Sequence, residues 1–225
     1  MTTAKRIFAV ALAIIITMGV SGCMFFRSNE SIMLAHMREK YGQEFISLGM
    51  GNSGHFGGGD PVMYCYLKGG DPETDEVRVI MYSKTSIHDT YFDILIREDF
   101  EAEVLDTLSE LPLLTKVYLD SSSSPSERFD GTNTYADLKQ WISEGNSVQF
   151  DIRIAVCVDG TDKSEKEAYA KQMFDKLEHS GFYGEVDVLF YPSEAFEKNM
   201  RSLTVRRELA SQYHDEYAIF SKNIK

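Results

Sequence analysis

Basic residues are scarce. The chain of 225 residues has 23 Lys and Arg against 35 Asp and Glu, a formal charge of −12. That balance excludes the broad basic surface with which nucleic-acid binders displace counterions. Cysteine is scarcer still, and three residues cannot frame a disulfide-held scaffold. Five Pro and 16 Gly exclude collagen-like and low-complexity chains. Apolar residues nonetheless reach 43% and aromatics 12%, enough to bury a core and to exclude a disordered chain.

Signatures of chemistry are also missing. No G-x-S-x-G elbow occurs, because Gly51-Asn52-Ser53-Gly54 lacks the closing glycine. No Ser stands three residues before a Lys, and no G-x-x-x-x-G-K-[ST] cradle occurs. The glycine-dense stretch Gly49–Gly59 has no Lys to meet a phosphate and reads as a connection. The five His, at 36, 55, 88, 179 and 214, are too far apart for a zinc pair on one helix face. The sequence implies no cofactor, no metal and no enzyme.

What is present at the N-terminus is specific. Lys5 and Arg6 precede an apolar run Ile7–Val20, the proportions of a secretory leader. Val20-Ser21-Gly22-Cys23 follows. An aliphatic residue, two small residues and a Cys resemble the lipobox of bacterial lipoproteins. The resemblance implies cleavage between Gly22 and Cys23 and a lipid on the Cys23 sulfur. It implies residence on the outer face of the cell membrane, held by acyl chains. The alternative is an uncleaved anchor, since Ile7–Phe26 is long enough to span a bilayer. Both place Lys5 and Arg6 inside and the body outside. Residues 23–30 form a tether of at most about 27 Å when extended.

The body reads as α+β, with helices on one face of a mainly antiparallel sheet. A helix is expected over Ser31–Tyr41, and strands over Phe45–Met50, Val62–Lys68 and Val77–Tyr82. Phe92, Ile96, Phe100, Val104 and Leu108 recur every four residues and predict a long helix from Thr90 to Leu111. A strand Tyr91–Ile96 before a shorter helix is the alternative. A strand Lys116–Leu119 precedes the Ser-rich run 121–126, which is the candidate boundary between modules 31–120 and 121–225. One continuous domain stays open.

The C-terminal half carries the strongest patterns. Thr134 and Asp137 mark a helix start ahead of Tyr135, Leu138, Trp141 and Ile142. Strict alternation from Val148 to Val158 predicts a strand. Ser164 and Glu167 offer a capping box, Ala170, Met173, Phe174 and Leu177 a helical stripe, and Gly181 a helix end. Val186–Tyr191 is a strand stopped by Pro192, so residues 148–191 form a βαβ unit or its split version. A helix is expected over Ser193–Met200, and beyond Arg201 the residues Leu209, Tyr213 and Phe220 fit either period. Tyr41-Gly-Gln-Glu-Phe45, Lys68-Gly-Gly-Asp-Pro-Glu-Thr-Asp75 and Tyr91-Phe-Asp-Ile-Leu-Ile-Arg97 resemble Gram-positive surface lipoproteins. Some of these resemble cystatin-like or NTF2-like folds. That likeness implies helices on a sheet and an interaction role.

Four candidate sites remain. His88-Asp89 with Asp93 is the one local His/carboxylate group, against which stands a simple helix cap by Asp89. Asp71–Glu76 alternates carboxylates but lacks the spacing of a calcium loop and reads as a solvated hairpin tip. Asp159–Lys163 ends the best strand but is acidic, which suits only a cationic ligand. Cys65 and Cys157 could pair outside the cell or remain buried thiols. The expected function is a non-catalytic binding module at the envelope, held to the membrane by its N-terminal lipid. Its partner would be a protein or envelope material, with no nucleic acid. An envelope-polymer enzyme or enzyme accessory is the second reading, and a small-ligand receptor feeding a transporter the third.

Overall fold

The computed structural model describes residues 28–54, 59–198, 201 and 218–224. The leader, Gly22, Cys23, most of the tether, His55 and His214 lie outside them, as do Asn199 and Met200 at the end of the helix expected from Ser193.

Helix α1 (Asn29–Tyr41) starts at Ser28, whose hydroxyl accepts the Ser31 N–H at 3.2 Å, and ends at Gly42, φ 66°. It buries Met33, Met37 and Tyr41 against an antiparallel sheet of four strands in sequential order. These are β1 (Phe45–Asn52), β2 (Pro61–Leu67), β3 (Val77–Ser83) and β4 (Ser86–Asp89). Alternation places Met63 and Cys65, then Val77, Val79 and Met81, then Ile87, under the helix. This first core is small and rich in methionine.

Helix α2 (Tyr91–Leu108) buries every residue of the predicted stripe, from Phe92 to Leu108, so the strand alternative for 91–96 is not what forms. It packs on a second sheet of order β5-β6-β7-β8. The strands are β5 (Thr115–Ser122), β6 (Phe150–Cys157), β7 (Gly184–Tyr191) and β8 (Ala218–Ile224). β6 and β7 are parallel and adjacent, joined by helix α4 (Lys163–His179), and their partners β5 and β8 are antiparallel to them. The βαβ unit is therefore whole rather than split. Helix α3 (Tyr135–Ser143) lies between β5 and β6, and a short α5 (Ser193–Phe196) follows β7. The chain is α+β, with its strands in two mainly antiparallel sheets.

The two cores separate at the start of α2, not at the Ser-rich run. Tyr91 belongs to the first core and Phe92 to the second. Ser121 and Ser122 extend β5 and pair with Asp151 and Phe150. The Ser122 N–H and hydroxyl both donate to the Asp93 carboxylate, at 3.1 and 2.5 Å. A segment held this way is no linker, so the boundary expected at 121–126 is corrected to the β4–α2 junction.

Local signals fared unevenly. Thr134 and Asp137 form the reciprocal box expected of them. At α4 the cap is Asp162 instead of Ser164: its carboxylate accepts the Glu165 N–H at 2.9 Å, and the Ser164 hydroxyl donates to it at 2.8 Å. The charged acceptor outcompetes the hydroxyl for the free N–H groups of the first turn. Gly181, φ 81°, closes α4. The Phe182 N–H reaches the Leu177 carbonyl at 3.1 Å and the Gly181 N–H the Glu178 carbonyl at 3.2 Å. This is a Schellman end, with Phe182 buried alongside Leu177 in the second core.

Two positions test this packing. Phe100 lies fully buried among the rings of Tyr135, Phe150 and Phe182, so Phe100→Ala should lower unfolding free energy by about 3–5 kcal/mol in chemical denaturation. A Cβ on Gly184 would meet the Phe150 carbonyl oxygen at 2.1 Å. Gly184→Ala should therefore separate β6 from β7 and abolish cooperative unfolding, and a stable Gly184→Ala protein would contradict the register.

Candidate functional site

Strand alternation decides the fate of the His88-Asp89 pair. Successive side chains of a strand point to opposite faces, so Asp89 turns inward opposite Val79 while His88 turns outward opposite Ile80. His88 Nε2 meets Glu127 at 2.5 Å and its ring stands edge-on to Tyr82. The expected group of His88, Asp89 and Asp93 is thus dispersed, because the first two share no face.

Asp89 instead gathers residues that the sequence did not suggest. Its side chain is 0% exposed. Lys40 Nζ donates to Oδ2 at 2.7 Å, and the Tyr41 hydroxyl and the Tyr91 N–H donate to Oδ1 at 2.6 and 3.1 Å. The cap at the start of α2 is therefore real but is one of three contacts. His36 Nε2 stands 3.9 Å from Oδ2, beyond hydrogen-bond reach. Burial lowers the His36 pKa, opposed by the Asp89 charge, so the imidazole favours its neutral form. Burial first, then the Asp89 charge, raises the Tyr41 pKa.

Lys40 and His36 also line a cleft of about 590 Å³. One wall is α1, with His36, Glu39 and Lys40, and the second is the β3–β4 turn with Thr85, Ser86 and Ile87. Ser126, Glu127, Arg128, Phe129 and Asp130, from the loop between β5 and α3, form the third. Ser126 is 2% exposed, and among the described residues neither its Oγ nor His36 Nε2 has a hydrogen-bond partner. Two charged groups of the rim are paired within the protein, Lys40 with Asp89 and Glu127 with His88. Asp130 accepts the Thr132 N–H and hydroxyl, at 2.8 and 2.7 Å.

The other candidates resolve into structural roles. Arg97 of α2 reaches Asp75 at 2.8 Å and the Thr74 carbonyl at 2.9 Å, which fastens the acidic hairpin tip. Asp159 accepts the Ser193 N–H at 3.0 Å, and Asp162 is the cap described above, so both carboxylates of that loop carry backbone contacts. Among the described residues no group of His, Cys, Asp and Glu could hold a metal ion, and no helix is long and apolar enough to cross a membrane. Gly49, Gly51 and Gly54 have the spacing G-x-G-x-x-G, yet β1 leads antiparallel into β2, without the helix start that a dinucleotide site uses.

Cys65 and Cys157 are both free thiols. Cys65 is sealed in the first core, where burial pushes its pKa up to about 12. Cys157 lies at the end of β6 in the other sheet. The disulfide alternative is corrected, since the two sit in separate cores.

No protein-family model and no curated protein matches the chain. A solved structure of a DUF5037 family protein from Ruminococcus gnavus is similar at a TM-score of 0.44 and 14% identity, over 84% of this chain and 88% of that one. Likeness at that level fixes neither family nor function.

Asp93, buried in the first turn of α2, supplies a pH test. Burial raises its carboxyl from 3.8 to about 6, against the two Ser122 hydrogen bonds, which lower it. A carboxyl whose folded pKa exceeds its unfolded pKa binds protons more readily in the folded state. Its protonation therefore stabilises the fold as pH falls from 6 toward 4, by up to about 3 kcal/mol. Unfolding measured from pH 7 to pH 4 should show this contribution in the wild type and lose it in Asp93→Asn. Identical pH profiles would contradict it.

Proposed function

We propose that this chain is a lipid-anchored module on the outer face of the cell membrane, and that it binds envelope material or an envelope partner rather than catalysing a reaction. The address rests on Val20-Ser21-Gly22-Cys23 behind an apolar leader. Small residues give a peptidase access to the backbone, the Cys23 sulfur is the nucleophile for lipid, and two or more acyl chains hold stably where one does not. The tether at 23–30 keeps the globule near the membrane. The net negative charge sets it off an anionic lipid surface rather than flat upon it.

The binding half of the reading rests on one observation, the cleft between α1, the β3–β4 turn and the loop 126–130. A pocket between two cores is a common place for a ligand. Among the described residues no base is hydrogen-bonded to its buried hydroxyl, Ser126 Oγ, whereas an activated serine requires one. Two of its charged residues are already engaged within the protein, Lys40 with Asp89 and Glu127 with His88. Such a site supplies hydrogen bonds and shape, which favours recognition over acid–base chemistry.

Expression of wild type and Cys23→Ser in a bacterial host, with an alkyne fatty acid in the medium, tests the anchor. The wild type should carry the label and partition into detergent, while Cys23→Ser should lose both. A Cys23→Ser protein that is processed normally and still retained by hydrophobic partition would overturn the assignment.

A further inference from the structure

We infer that β1 is a docking edge for a second copy of this chain, the two β1 strands pairing antiparallel so that the two four-stranded sheets join into one. β1 is an end strand of its sheet, and among the described residues no strand lies on its other side. Along an edge strand the backbone N–H and C=O groups alternate toward the neighbour and away from it. β1 therefore presents a row of groups that a further extended strand fills. The inference is separate from the cleft and does not depend on the lipid anchor.

Proteins usually protect such edges, and the other three edges here are protected. β4 has four residues, too short a template for a partner. On β5 the Leu119 and Ser122 N–H groups donate to Glu101 and Asp93 of α2, at 2.8 and 3.1 Å. β8 carries Lys222, held by Glu178 at 2.7 Å, and a charge on an edge strand resists pairing. β1 has only a bulge, between Ser47 and Gly49, which bends the strand and puts no charge on it. Gly49 to Asn52 remain in continuous register with β2. The strand is eight residues long, and no Asp, Glu, Lys, Arg or Pro occurs from Phe45 to Gly59. Ile46, Leu48 and Met50 are 39%, 46% and 42% exposed.

Charge and symmetry select the occupant. The chain carries −12, which sets copies apart in general. β1 is a gap in that charge: its own residues are uncharged, and Glu44 just before it is paired with Lys68, at the end of β2, at 2.5 Å. A basic partner finds no anion along the strand, and an acidic one finds no cation. The fitting partner is an uncharged, apolar, extended segment with a free edge, and the chain itself supplies one. Antiparallel pairing of identical strands is two-fold symmetric, so each copy gives the groups it receives and the assembly closes at two. One shared strand pair is a small interface at the weak end of specific association, with a Kd of about 1–100 µM.

The test uses the full chain in a density-matched polyoxyethylene detergent, in which analytical ultracentrifugation reads protein mass alone. The mass should rise from one chain to two over that concentration range and stop there. Leu48→Lys places a cation on each edge and should weaken the dimer about tenfold or more. Its far-UV circular dichroism should stay unchanged, since Leu48 is a surface residue. Leu48→Ile keeps the edge apolar and should keep the dimer. Should Leu48→Lys lose its fold, Ile46→Lys and Met50→Lys repeat the measurement. Ile46→Cys, Leu48→Cys and Met50→Cys are then oxidised in the same detergent, with the wild type as blank. Two-fold antiparallel pairing gives a disulfide-linked dimer most strongly at the position nearest the axis, and Lys84→Cys on the β3–β4 turn should give none.

Four results would overturn it. These are a wild-type chain that stays single across the range, a dimer that the lysine variants leave untouched, no crosslink at any of the three β1 positions, or crosslinks that form as readily at position 84. A dimer indifferent to the lysines would trace to shared micelles or to another face. Lipid labelling at Cys23 is read separately, so a chain that is lipidated but stays single overturns this edge alone.

Discussion

One buried carboxylate holds the two halves of the molecule in register. Asp89 closes the last strand of the first sheet, one residue before Thr90 leads into α2. There it accepts hydrogen bonds from Lys40 and Tyr41 at the end of α1 and from the first N–H of α2. Burying a charge without partners is prohibitive, and Lys40 supplies the opposite charge while three donors fill its lone pairs. The geometry of α1 relative to α2 follows from satisfying that carboxylate. A Cβ on Gly131 would come within 3.4 Å of the Tyr41 ring, so the loop after Ser126 is closely seated on the same junction.

Everything proposed for the cleft descends from this arrangement. Once Lys40 is drawn down to Asp89, it no longer offers a free cation to the rim. Once β4 alternates Asp89 inward, His88 must face out, where it takes up Glu127 of the opposing loop. Among the described residues, two buried side-chain atoms here lack a hydrogen-bond partner, the Ser126 hydroxyl and His36 Nε2. The second core, with Phe92, Phe100, Phe150 and Phe190 packed around the βαβ unit, gives the wall carrying Ser126 and Phe129 its rigidity. The smaller first core carries the opposite wall.

The sequence made legible those features that local physics decides. The four-residue recurrence in α2, the Thr134–Asp137 box, the Gly181 end and the strand alternation at 150–157 all depend on neighbours within a few residues. The short β4 escaped notice because four residues give too little alternation to read. β8 escaped because Leu209, Tyr213 and Phe220 fit either period. The division into two sheets was hidden because α2 begins on one core and continues on the other. The site was hidden more deeply. His36 and Lys40 fall inside an expected helix, Thr85 and Ser86 between expected elements, and Ser126 at the end of the Ser-rich run. No local signal marks three ordinary polar stretches that only tertiary structure brings together.

The coupling between Lys40 and Asp89 is the most direct measure of whether this junction organises the molecule. A double-mutant cycle with Lys40→Met, Asp89→Asn and the combined variant, followed by chemical denaturation, isolates it. The account predicts a coupling of about 1–3 kcal/mol, with the double variant more stable than the sum of the single losses implies. Losses that add to within about 0.5 kcal/mol would mean that the two groups act independently, and the carboxylate would not be the joint described.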